Sequence, residues 1–447
     1  MRLKLIACLS LLTAGPAGAD DLMSVYQSGL AQDAAYGAAR ASYQAAKEKI
    51  VQGRALLLPN LNMTANGNYN VVDTQYDKTL PNIPSGTIDY GSYGAGLNVT
   101  QPIYRPQNNV VFQQAKIQVS QAETQLSQAG QDLMLRVAQA YFDVLLAQYE
   151  LRTVEAQKGA TAEQLAQAKR NFEVGTATIT DTYDAQARFD LIVAREIATR
   201  NDIAVRVSAL QKIIGRLPSP LNRLTPGLTL NPPEPNDMEK WVDAAYGNSQ
   251  QVKIAQDNLQ LAVKEVDRAR YGQFPTLDAV ASANYNYQGD NPTFNTGITT
   301  TQGVVGVQFA LPLYAGGSLT SRVREAVSNR TKAEQDYENA RRTVAQAVRE
   351  AFIAVNSGLS EVKALEQAVA SNKLSVEASK LGQEVGVRTQ VDVLNAQSLL
   401  YEAQRNLARA YYVTIVGQLR LKQTVGRLTE RDLENVNRLL TVNNETQ

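Results

Sequence analysis

The residues whose types and spacing could do chemistry come as two matched sets. Val174, Gly175 and Thr176, with Thr180 and Asp181 behind them, lie in the stretch Phe172 to Gln186. Val385, Gly386 and Val387, with Arg388, Asp392 and Asn395 behind them, lie in Gln383 to Gln397, which repeats the first stretch 211 residues later. A glycine in this setting suits the left-handed conformation that ends a helix, and a following carboxylate suits the start of the next one. The chemistry on offer is therefore turn formation, surface recognition and charge pairing. Catalysis has little to work with. The chain has no histidine, and its one cysteine is Cys8. That removes the usual zinc ligands, a Ser-His or Cys-His nucleophile and any disulfide within the chain. Paired carboxylates alone keep a periplasmic enzyme conceivable, but no nucleophile–base constellation accompanies them. The reading is of a non-enzymatic protein without metal or cofactor.

The matched sets belong to a longer duplication. Leu61 to Asn70 is echoed by Leu277 to Asn286, and Gln101-Pro-Ile-Tyr104 by Leu311-Pro-Leu-Tyr314, at nearly the same spacing. A period this long exceeds any solenoid unit, so each copy is a large half of one symmetric body. Residues 20–232 form the first structural repeat and 233–447 the second, with the proline cluster Pro218 to Pro235 as an extended connector. Residues 1–19 read as an export signal: Arg2 and Lys4, then the apolar run Leu5 to Leu12, then Ala17-Gly-Ala19. Its removal leaves 42 basic and 43 acidic residues, a balance that offers nucleic acid nothing to grip. No later stretch has the roughly 18 consecutive apolar residues of a membrane-crossing helix.

Two periodicities must position the turns. The first is a 3-4 spacing of small and aliphatic residues, as in Leu133, Val137, Ala140, Val144, Ala147, Leu151 and Val154. Val348, Ala351, Val355, Gly358 and Val362 repeat it, and Val393, Ala396, Leu400, Ala403, Leu407 and Ala410 form a third seam. Sustained spacing of this kind marks coiled-coil helices. Between about Asn108 and Arg170 it predicts a single helix far longer than a globular core can use. The matching positions Glu196 and Arg206 make the first returning helix less regular.

The second periodicity is two. Leu61 to Val71, Tyr93 to Thr100, Leu277 to Tyr287 and Gly303 to Leu311 alternate apolar with amide, hydroxyl or glycine residues. Segments of about 9–12 residues suit strands that cross a bilayer at a tilt. They form two hairpins, with turns over Asp73 to Ile88 and Gly289 to Gly297. Pro59 and Pro275 stand before strands, Pro102 and Pro312 after them. Tyr69, Tyr76, Tyr90, Tyr93, Tyr285 and Tyr287 as a group suit an interfacial belt. Four strands cannot close on themselves, and an open edge is not tolerated in lipid, so sister chains must complete the sheet. The competing picture is a soluble sheet with one buried face, or an exported coiled-coil stalk without a pore.

With its duplicated Val-Gly turns and following aspartates, its Pro-Ile-Tyr and Pro-Leu-Tyr-Ala-Gly-Gly strand exits and its duplicated hairpins, the chain resembles the TolC family of outer-membrane export ducts over about residues 20–440. The resemblance implies an α+β membrane protein: a homotrimer whose twelve-stranded β-barrel, four strands per chain, continues as a long helical coiled-coil barrel in the periplasm. It implies residence in the outer membrane and export of small molecules or type I secreted proteins. The implied partners are a periplasmic adaptor and an inner-membrane transporter of ABC or RND type. It further implies that Val174, Gly175, Thr176, Val385, Gly386 and Val387 dock the adaptor. Thr180, Asp181, Arg388, Asp392 and Asn395 would form the periplasmic gate. Two departures matter. A second acidic ring expected one turn beyond Asp392 falls on Asn395, which weakens cation preference, and a tyrosine of the closed-state lock is replaced by Gln383.

Overall fold

The computed structural model describes residues 19–75, 86–225, 227–289 and 296–441. Within them the order of elements runs twice. The first pass is α1 (Leu22–Gln32), α2 (Ala34–Ala55), β1 (Asn60–Thr74), β2 (Gly86–Tyr104), α3 (Pro106–Glu173), α4 (Ile179–Ile214) and β3 (Arg223–Leu224). The second is α5 (Met238–Asn248), α6 (Gln250–Tyr271), β4 (Thr276–Gln288), β5 (Ile298–Ala310), α7 (Ser318–Glu384), α8 (Gln390–Val425), α9 (Glu430–Asn437) and β6 (Leu440–Thr441). Corresponding helices have 11, 22, 68 and 36 residues in the first pass and 11, 22, 67 and 36 in the second. What was duplicated is an architecture, kept to within a residue per helix.

Packing divides the chain differently from the repeats. One compact unit takes residues up to Ala41, Gln125–Lys253 and the chain from Ala340 onward; the other takes Ser42–Thr124 and Ile254–Asn339. Each unit draws equivalent segments from both passes. Residues 1–18, nearly all of the expected export signal, lie outside the described part.

The second unit is built on a four-stranded antiparallel sheet of order β1-β2-β4-β5. Its register aligns the alternation across all four strands. Met63 faces Leu97, Leu97 faces Ala283, Ala281 faces Val305 and Leu277 faces Phe309, so one face is apolar from edge to edge. On the other, Asn62 faces Asn98 and Asn98 faces Ser282, while Thr64, Gly96, Asn284 and Gln302 form a second row. A slip of one residue would exchange the faces, so this continuity pins the register. Gly94 and Gly96 sit where a Cβ would collide with the amide oxygens of Asn286 and Asn284. Glycine in β2 is what lets flanking asparagines lean together over the polar face.

Two expectations about the strands need correction. β1, β2, β4 and β5 have 15, 19, 13 and 13 residues, longer than the 9–12 read from alternation. Alternation reports only the length for which one face needs an apolar environment; backbone pairing continues beyond it. Pro102 does not follow β2 but lies within it, opposite Asp278, where the register shifts before Tyr104. A proline without an N–H is accommodated at such an irregularity. Pro59, Pro275 and Pro312 do flank strands. Pro81, Pro84, Asn291, Pro292 and Tyr76 lie outside the described residues.

The first unit is helical. Its main core joins Leu22, Val25 and Tyr26 of α1 to Leu133, Val137, Tyr141, Phe142 and Leu145 of α3, with Leu210 and Ile214 of α4, Tyr412, Ile415 and Leu419 of α8 and Leu433 of α9. Tyr141 is fully buried because its hydroxyl can donate to the carbonyls of Asn222 at 2.9 Å and Asp20 at 3.2 Å. The 3-4 seams supply buried positions throughout: Val137, Val144, Ala147 and Val154; Val348, Val355 and Val362; Val393, Ala396, Ala403 and Ala410. Glu196, an irregular seam position, is buried because Lys158 Nζ at 2.7 Å and Arg200 Nη2 at 2.8 Å neutralise it. Arg206 instead reaches out to Asp202 and Asp143. No helix among the described residues is long and apolar enough to cross a membrane.

Candidate functional site

The turns α3–α4 and α7–α8 have the same construction. Helix α3 ends with Gly175 at φ 78° and α7 with Gly386 at φ 81°. In the first, Gly175 N–H donates to Phe172 O at 3.0 Å and Thr176 N–H to Asn171 O at 2.8 Å. In the second, Gly386 N–H donates to Gln383 O at 3.1 Å and Val387 N–H to Gly382 O at 2.9 Å. Both are Schellman closures, which satisfy the last helix carbonyls and need a residue free to take a positive φ.

The next helices start with a reciprocal cap. Thr178 Oγ1 accepts from Asp181 N–H at 3.3 Å, and the Asp181 carboxylate accepts from Thr178 N–H at 3.0 Å and its hydroxyl at 2.8 Å. Thr389 and Asp392 repeat this at 3.2, 2.8 and 2.8 Å. The aspartates therefore stand three residues inside the helix, and the threonines are the caps. The Thr-x-x-Asp spacing of a capping box was legible in both sequences. The backbone N–H and hydroxyl of Thr389 hold the Asp392 carboxyl below the ordinary carboxylate range, with a smaller contribution from the Arg388 charge.

Around these turns the apolar side chains are bare. Val174 is 72 % exposed, Val385 66 % and Val387 77 %, with Phe172, Tyr183 and Leu381 exposed beside them. Among the described residues no ion pair joins Asp181 to Arg388 within the chain. Asn395 instead accepts a hydrogen bond from Arg188 Nη1 at 2.9 Å, and Arg188 was not singled out from the sequence. The two lie 207 residues apart and share no motif, so nothing in the linear order announces them.

Deeper in, α8 is held to α3 by amides. Gln164 Nε2 donates to Gln397 Oε1 at 3.1 Å, and Gln390 Nε2 donates to Gln164 O at 2.7 Å. Gln157 Oε1, Gln164 Oε1 and Thr182 Oγ1 are buried without a partner among the described residues. The apolar cluster there is only Leu165, Ala168 and Ala185, with Phe189 against it. No group of acidic or sulfur residues among the described residues could hold a metal ion.

A family model described as outer membrane efflux protein matches residues 25–216 and 241–427, both passes of the duplication. The chain belongs to that family. It is 34 % identical over 420 residues to outer membrane protein TolC of Vibrio cholerae, covering 94 % of this chain and 93 % of that one. It is 29 % identical over 427 residues to the proteases secretion protein PrtF of Dickeya chrysanthemi, covering 94 % and 91 %. Its fold matches the outer-membrane protein VceC of Vibrio cholerae at TM-score 0.76 and 20 % identity, over 91 % of this chain and 96 % of that one. The Campylobacter jejuni outer-membrane channel CmeC matches at TM-score 0.78 and 15 % identity, over 94 % and 90 %. As a member of the efflux family, this chain is an α+β outer-membrane export channel with a periplasmic extension, and the stalk reading falls away. The family's members are channels and not catalysts, which agrees with the poverty of nucleophiles and bases.

Proposed function

We propose that three copies of this chain close their four-stranded sheets into a twelve-stranded barrel, and that the conduit so formed exports small molecules or type I secreted proteins. The observation that carries this reading is the sheet itself. It has one face apolar from β1 to β5, an amide-lined opposite face, and two edges that no described element pairs. In lipid, unpaired edge amides and carbonyls cost several kcal/mol each, so closure by copies removes the largest penalty the isolated chain would meet. The amide and hydroxyl face then lines a wet interior.

Energy for export comes from an inner-membrane transporter of ABC or RND type, reached through a periplasmic adaptor. Val174, Val385 and Val387 present bare apolar side chains on turns closed at Gly175, Thr176 and Gly386, the kind of surface that a helical hairpin of an adaptor can cover. Three copies of Asp392 around the axis would repel one another and favour cations, with Asn395 adding no second ring of charge. Thr180, Asp181 and Arg388 would complete the closed gate across neighbouring copies.

The decisive experiment is reconstitution of the full chain. Heat-sensitive trimers in outer-membrane fractions and ion conductance in planar bilayers are expected; a stable, non-conducting monomer would refute trimeric closure. For the gate, Arg388→Ala should raise single-channel conductance, and an unchanged conductance removes Arg388 from the lock.

A further inference from the structure

We propose that a polar cavity at the foot of the sheet binds the headgroup of a zwitterionic phospholipid, its phosphate on Arg322 and its ammonium on Glu325. The inference rests on the barrel reading above, because that reading sets the cavity's depth.

The position follows from the chain. The cavity, about 410 Å³, is lined by Gln107 from the first turn of α3, by Glu265, Arg268 and Gly272 at the end of α6, and by Leu319, Arg322 and Glu325 from the first turns of α7. β2 ends at Tyr104 and β4 begins at Thr276, so Gln107 and Gly272 stand within a few residues of a strand end, while Leu319, Arg322 and Glu325 come from the start of the helix that follows β5. The link from β5 to α7 carries Leu313 and Tyr314, 88 % and 89 % exposed, as bare as Val305 (88 %) on the apolar sheet face. An exposed leucine–tyrosine pair just past the last strand of an apolar face belongs at the boundary between acyl chains and headgroups. Arg322 and Glu325 follow in the first turns of α7, on the periplasmic side of that boundary, where long charged side chains can reach back to headgroups.

The charges select the ligand. Arg268 is already engaged: its Nε donates to Glu265 Oε2 at 2.8 Å, and this bond holds the Glu265 carboxyl below its ordinary range. Together they form a neutral wall. Arg322 and Glu325 line the same cavity, and neither has a hydrogen bond or ion pair among the described residues. An open guanidinium and an open carboxylate one turn apart match a group with both a phosphate and a primary ammonium. A purely anionic headgroup would satisfy Arg322 and repel Glu325. The start of α7 adds its positive dipole end close to Arg322. Ethanolamine is favoured over choline because only a primary ammonium can donate hydrogen bonds to the carboxylate.

The test uses the purified full-length channel in nonionic detergent, titrated with dioleoyl phosphatidylethanolamine, phosphatidylglycerol or phosphatidylcholine and read by native mass spectrometry. Wild type should retain phosphatidylethanolamine in preference to the other two. Arg322→Gln should weaken that retention about tenfold, the order expected for one charge-assisted contact. Glu325→Gln should reverse the preference toward phosphatidylglycerol. Equal retention of all three lipids by wild type, or undiminished phosphatidylethanolamine on Arg322→Gln, would overturn the assignment. Both positions are exposed and neither belongs to the proposed gate, so bilayer conductance should be unchanged in the variants. A wild type that conducts yet retains no lipid sinks the headgroup site alone, whereas one that never conducts sinks the barrel reading.

Discussion

Within the helical unit, the surroundings of Tyr141 and those of Ala168 are held together by different physics, although α3 runs through both. Around Tyr141, side chains from α1, α3, α4, α8 and α9 interlock, including an edge-on contact of Tyr141 with Phe142 at 5.7 Å. Around Ala168, one small cluster of Leu165, Ala168 and Ala185 does the packing and buried glutamines do the fastening. Apolar burial at about 25 cal/mol per Å² makes the first region costly to part, while a wettable amide seam parts at little expense. A long coiled-coil helix can thus be rigid where it is anchored and compliant where it turns.

Matched truncations test this contrast most directly. Leu133→Ala, in the dense region, should cost about 3–5 kcal/mol, and Leu165→Ala, in the sparse one, distinctly less because its surroundings can collapse. Thermal melts of the two variants should separate clearly; equal losses would mean that the tip is packed as firmly as the anchor. At the turn itself, Gly386→Ala forces a Cβ into a positive-φ position and should lose about 1 kcal/mol. Because nothing lies within 4 Å of a Cβ there, the loss is conformational, and Gly386→Asn should recover part of it. A smaller effect is expected from Thr389→Ala, which removes one cap worth about 1 kcal/mol or less at an exposed end. Hydrogen exchange confined to the first turn of α8 would register it even where melting does not.

The smallest effect concerns pH. Thr389 lowers the Asp392 carboxyl below its ordinary value of 3.8. A lowered carboxyl contributes above its unfolded value and loses that contribution as pH falls through the folded one. Cation preference at the tip should therefore be flat from neutral pH down to about 5, and reversal potentials across that range measure it. A decline already at pH 6 would mean that neighbouring copies raise Asp392 by repulsion, in which case the charge ring is tighter than proposed.

Much of this molecule was legible before its coordinates. The duplicated turns appear where Gly175 and Gly386 stand, and the four strands appear where alternation is strict, because both depend on local backbone preference and a repeating environment. Strand ends are less legible at Pro102, where pairing outlasts the apolar alternation. Asp181 and Asp392 lie near helix starts, as their position after the glycines predicts, but the capping itself falls to Thr178 and Thr389 three residues earlier. Arg188 and Gln164 left no trace in the linear order, since each acquires its meaning from α8, more than 200 residues away.

The sequence by itself determined the duplicated plan, the helix-ending glycines, the alternating strands and the lack of histidine and of any cysteine but Cys8, because these are properties of residues and their near neighbours. Tertiary structure alone decided which amides fasten α8 to α3, that Asn395 meets Arg188, and that Arg322 and Glu325 share a cavity with Arg268 and Glu265. Those contacts join segments distant in the chain, and their partners are chosen by packing geometry that no local pattern encodes.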